Sequence, residues 1–85
     1  MSNYVEFKNP KAFHPGYFVS ELIEYSGFSV EEFATRISVL PDDISSLIHG
    51  EKKLSHEIAI ELSRFTGTTV EYWLNLQKRY DAAQN

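Results

Sequence analysis

The sequence predicts an all-α domain of five short helices. Three features carry this prediction: glycines that end apolar stretches of helical spacing, capping residues that begin them, and no run that reads as a strand. Gly27, Gly50 and Gly67 each follow residues whose apolar members recur every three or four positions, the arrangement of a helix closed by a left-handed C-cap. Ser29 with Glu32, and Thr68 with Glu71, have the spacing of capping boxes, in which each side chain satisfies a free backbone N–H at a helix start.

The first helix is expected from Pro15 to about Ser26. The fixed φ of proline suits a first turn, and His14 just before it fixes the chain's approach. Phe18, Leu22 and Tyr25 form the expected inward face. The second helix, opened by Ser29, buries Phe33, Ala34 and Ile37. Pro41 opens a short third helix with Ile44, Leu47 and Ile48 as its apolar stripe. Ser55 is the expected N-cap of a fourth helix that buries Ala59, Leu62 and either Ile58 or Phe65. The fifth, starting at the Thr68 box, turns Val70, Trp73, Leu74 and either Gln77 or Tyr80 inward. Only the first dozen residues and residues 82–85 read as loose.

Composition narrows the possible functions. Eighty-five residues make one domain with one core and leave no room for a catalytic cleft between domains. No apolar run approaches the roughly 18 to 20 residues of a membrane span, and residues 1–11 lack the order of a secretory signal. The expectation is therefore a cytoplasmic protein with no membrane partner. The absence of cysteine excludes disulfides and thiolate metal sites. Eight basic against twelve acidic side chains give a formal charge of −4, unlike the basic surface of most nucleic-acid binders. A local basic face, or a dimer with few contacts, remains open.

Phe33, Ala34 and Ile37, then Val39, then Ile44 and Leu47 have the spacing of a helix-turn-helix. A small Ala34 lets the third helix approach closely, Val39 plugs the turn, and Ile44 and Leu47 pin the third helix down. The turn position that favours glycine for its left-handed backbone is Ser38 here, at a steric cost of about 1 kcal/mol.

Further residues point to a family: His14-Pro15-Gly16, Glu32-Phe33-Ala34, residues 44–50, Ser55, and above all Gly67-Thr68-Thr69-Val70-Glu71-Tyr72-Trp73-Leu74-Asn75-Leu76-Gln77 with Arg79-Tyr80-Asp81. Over nearly its full length the chain resembles the HigA-type antidote proteins of toxin–antitoxin modules, within the Xre/Cro-repressor-like helix-turn-helix group. The resemblance implies a five-helix lambda-repressor-like domain and a homodimer that neutralises a small ribonuclease toxin and represses its own promoter. It also implies an N-terminal extension over residues 1–13 and a domain over residues 14–85 whose last helix dimerises.

In such proteins the third helix enters the major groove. Its exposed face here offers Asp42, Asp43, Ser45, Ser46 and His49, with Arg36, Lys52 and Lys53 as candidate phosphate contacts. The two aspartates would repel phosphates, although a carboxylate can accept a hydrogen bond from a cytosine amino group; acids in a first turn also suit the helix dipole without any ligand. If the three cations of each subunit met phosphates in a dimer, the logarithmic salt slope would be about −5. Aromatic residues make up 14 % of the chain. Tyr72, Leu76 and Tyr80 are the expected dimer surface, with Tyr4 and Phe7 as possible additions. An interaction module that keeps this fold with weak or lost DNA binding is the alternative. His56-Glu57 starts like a zinc-protease motif, but Ile60 stands where the second histidine belongs. No nucleotide loop or nucleophile elbow occurs, so no enzyme activity, metal or cofactor is expected.

Overall fold

The computed structural model describes residues 13–84. Its elements are α1 (Pro15–Ser26), α2 (Val30–Arg36), α3 (Pro41–Ile48), α4 (His56–Thr66) and α5 (Val70–Gln84), with no strand among the described residues. α1 packs on α3 and α5, α2 on α3, and α4 on α5. The five helices thus enclose one core of Val19, Ile23, Phe33, Ala34, Ile37, Ile44, Leu47, Leu54, Ile58, Ala59, Leu62 and Trp73.

The caps form as the sequence predicts in three places. Pro15 stands in the first turn of α1, and the His14 ring accepts the Gly16 N–H through Nδ1 at 2.9 Å. Ser29 and Glu32 close a complete capping box on α2, and Ser55 Oγ accepts the Ile58 N–H on α4. Gly27 and Gly67 end α1 and α4 in the left-handed conformation.

The start of α5 differs from the expected box. Thr69, not Thr68, supplies the cap by accepting the Tyr72 N–H at 3.1 Å. Thr68 Oγ1 instead accepts the indole N–H of Trp73 at 2.9 Å. A buried indole N–H needs an acceptor, so the tertiary position of Trp73 takes Thr68 away from the helix start. α5 continues as a helix to Gln84, into the tail expected to be loose; residues 1–12 and 85, the rest of that expectation, lie outside the described residues.

The inward face of α1 also differs. Val19 and Ile23 are the buried residues; Phe18 and Leu22 lie half-buried against the core, and Tyr25 is 93 % exposed. Gly16 explains the rotation. A Cβ there would overlap the Leu47 carbonyl oxygen and lie only 2.7 Å from the Leu47 carbonyl carbon. The α1 backbone thus rests directly on the end of α3, which turns the Gly16–Val19–Ile23 side inward. In α4, Ile58 is buried, while Phe65 stays partly exposed with its ring edge-to-face on Phe33 at 5.2 Å. In α5, Gln77 takes the buried position and Tyr80 is half-buried.

Candidate nucleic-acid interface

α2 and α3 join through residues 37–40. Ser38 has φ +59°, the left-handed geometry its place in the turn predicts, and the Val39 N–H returns to the Ala34 carbonyl at 2.9 Å. Val39 is half-buried against the core. Ala34, Ile44 and Leu47 are fully buried, so the opposite side of α3 is held outward as a rigid face.

That face carries the predicted residues. Asp42 and His49 are exposed, and Asp43, Ser45 and Ser46 are half-buried. His49 Nδ1 lies 2.7 Å from the Ser45 carbonyl. Since a carbonyl only accepts, this ring nitrogen carries the hydrogen and donates.

The expected cations are differently placed. Lys52 Nζ stands 3.7 Å from Asp43 and Lys53 Nζ 3.6 Å from Asp81, while the Arg36 guanidinium lies over the Phe28 ring at 4.7 Å. The structure thus brings Asp43 and Lys52 together beside the turn, on the rim of an open hollow of about 460 Å³ that Leu40 and Glu57 also line. It engages Lys53 with α5, and Arg36 with the loop before α2. Partly exposed ion pairs of this kind contribute roughly 0.2 to 1 kcal/mol, little enough for a phosphate to compete for either lysine.

Gln77, on α5, fastens the loop between α3 and α4, residues 49–55. Its Oε1 accepts the buried Leu54 N–H at 2.8 Å, and its Nε2 donates to Asp81 at 3.0 Å. Asp81 in turn meets Lys53. The two-ended use of Gln77 was not legible, since an inward glutamine does not name its partners. His14 packs edge-on against Tyr80 at 4.9 Å. Burial pushes its imidazolium below the ordinary histidine range, against opposing contributions from the Lys52 backbone and the Asp81 carboxylate.

Tyr72, Leu76 and Tyr80 recur every fourth residue along one side of α5. Tyr72 is about half exposed, whereas Leu76 and Tyr80 are half-buried on their own chain. Tyr4 and Phe7 lie outside the described residues. Among the described residues no three potential ligands converge on a metal position, and no helix is long and apolar enough to cross a membrane.

A left-handed residue between two short helices, inside a five-helix bundle, defines the helix-turn-helix class. No protein-family profile matches the chain. It is 34 % identical over 70 residues to the uncharacterized HTH-type transcriptional regulator YddM of Escherichia coli K12, covering 82 % of this chain and 74 % of that one. It is 35 % identical over 78 residues to virulence-associated protein A' of Dichelobacter nodosus, covering 91 % of this chain but 66 % of that protein. Among solved structures, an addiction-module antidote protein of the HigA family from Coxiella burnetii matches with a TM-score of 0.80 at 29 % identity, over 87 % of this chain and 82 % of the other. The Pseudomonas aeruginosa antitoxin HigA, solved with the higBA promoter, matches with a TM-score of 0.80 at 26 % identity, over 86 % and 80 %. The chain belongs to the HTH-type transcriptional regulators, and its fold is similar to that of the HigA-family antitoxins.

Proposed function

We propose that this protein is a cytoplasmic, non-enzymatic antitoxin that binds a small ribonuclease toxin and represses its own operon as a homodimer. The observation that carries this reading is the likeness of the fold, over 86 % of the chain, to an antitoxin solved with promoter DNA. Residues 14–85 form the operator-binding domain, residues 1–13 are an extension, and α5 with Tyr72, Leu76 and Tyr80 joins two copies. A dimer sets two third helices against a palindromic operator. Asp42, Asp43, Ser45, Ser46 and His49 face the major groove, and Arg36, Lys52 and Lys53 meet phosphates. To reach a phosphate, Lys52 exchanges its contact with Asp43, and Lys53 its contact with Asp81.

Fluorescence anisotropy with a labelled fragment of the gene's own upstream region tests the DNA half. Salt-sensitive binding is expected, and its absence at low salt overturns that half. Co-purification of the protein encoded by the adjacent gene tests the toxin half, and sedimentation tests the dimer. The pairing of Lys52 with Asp43 favours a second reading, an interaction module with weak or lost DNA binding. Under that reading, replacing Asp42 and Asp43 by arginine creates DNA affinity that the parent chain lacks.

A further inference from the structure

The other four helices begin on a side chain that accepts a hydrogen bond from the first turn: His14, Ser29, Ser55 and Thr69. α3 does not. Its N-cap is Leu40, at φ −66° and ψ 138°, with no side-chain cap bond. This extended geometry is that of an ordinary N-cap, where Ser, Thr, Asp or Asn is strongly preferred. The same leucine is 68 % exposed. Its backbone carbonyl accepts the Asp43 and Ile44 N–H groups, a role any residue fills, while Ile44 and Leu47 already anchor α3 in the core. Leu40 therefore departs from the preferred cap chemistry, and among the exposed large apolar side chains of the described residues it is the aliphatic one, the others being the aromatic Phe13, Tyr17, Tyr25, Phe65 and Tyr72. Departures of this kind mark functional positions.

Leu40 stands directly ahead of Pro41 and Asp42, at the leading end of the helix assigned above to the major groove. We propose that Leu40 is a specificity-determining residue, its isobutyl group packing on the 5-methyl group of a thymine in each half-site. The inference rests on the operator-binding reading. Among the groups that bases display in the major groove, the thymine methyl is the apolar one. Of the rest of the exposed face, Asp42, Ser45, Ser46 and His49 offer polar groups to base edges and Pro41 alone adds another apolar surface, so a preference for the methyl group traces to Leu40 when it is lost in a chain that changes Leu40 and keeps Pro41.

The test uses the full chain and a randomised duplex pool. Bound duplexes are resynthesised with deoxyuridine replacing each thymine in turn, which removes the methyl group and keeps base pairing. One thymine in each half-site is expected to lose about fourfold in affinity on replacement, the factor that follows from burying one methyl-sized group. L40S is expected to lose this sensitivity while its melting temperature rises by about 4 to 8 °C, because the cap is restored. Affinity unchanged by every replacement overturns the proposal, as does an L40S chain with the parent's sensitivity. An L40S chain with no gain in melting temperature removes the argument that Leu40 is kept against folding. The deoxyuridine series on the parent chain locates the methyl contact, and the loss of that sensitivity in L40S assigns it to Leu40. If the pool yields no salt-sensitive duplex, operator binding itself falls and the role of Leu40 with it, a failure seen before any base is altered.

Discussion

Replacing Gly16 by alanine probes the contact that sets the third helix. In a helix, alanine is ordinarily favoured over glycine by up to about 1 kcal/mol, so propensity alone predicts a gain. The structure predicts the opposite. The new Cβ would lie 2.7 Å from the Leu47 carbonyl carbon and 2.9 Å from Ile48 Cα, and would overlap the Leu47 oxygen. Against the roughly 3.5 Å at which carbons ordinarily meet, these contacts fall short by about 0.6 to 0.8 Å. Overpacking costs about 1 to 3 kcal/mol, and the upper end applies because the obstacles are backbone atoms with no rotamer to change. The net loss is then about 2 kcal/mol. For a domain of this size, that lowers the melting temperature by about 8 to 16 °C. Thermal unfolding followed by far-ultraviolet circular dichroism reads the change. Gly27→Ala is the comparison: nothing lies within 4 Å of a Cβ placed there, and only the strain of φ +80° remains, about 1 to 2 kcal/mol. A G16A chain as stable as the parent would refute the claim that α1 rests on the backbone of α3.

Three further outcomes are expected. Ser38→Gly relieves the left-handed strain at φ +59°, about 1 to 2 kcal/mol less the roughly 0.4 to 1 kcal/mol of added unfolded-chain entropy; the melting temperature should rise by a few degrees, and a fall counts against the turn geometry. Gln77→Leu strands the buried Leu54 N–H at a cost of about 1 to 3 kcal/mol. The urea midpoint should drop with the m-value unchanged, and the Leu54 amide should exchange faster; an unchanged exchange rate excludes the Gln77 bond. Burial lowers the folded-state pKa of His14, so folding favours the neutral ring. Its contribution is complete above the ordinary histidine value of about 6.5 and is lost as pH falls below it. Urea unfolding at pH 8 and pH 5 should show this loss, and His14→Asn, which keeps a cap acceptor, should shrink it; an equal loss in both chains rules out His14 as its source.

Local chemistry made much of this protein legible in the sequence. Helix starts at Pro15, Ser29 and Ser55 and stops at Gly27 and Gly67 depend on interactions within a few residues, so the sequence alone determines them. The same holds for the turn at Ser38 and for the buried Ala34, Ile44 and Leu47, whose spacing has few other uses. Tertiary structure decided what depends on a distant partner. Thr68 leaves the helix start because Trp73 needs an acceptor, α1 turns Val19 inward because Gly16 meets Leu47, and Lys52 and Lys53 turn to Asp43 and Asp81. The candidate interface divides the same way. The polar face of α3 was readable from periodicity, but the exposure of Leu40 and the pairing of the lysines were not, because both follow from how α3 and the loop after it sit against the rest of the bundle.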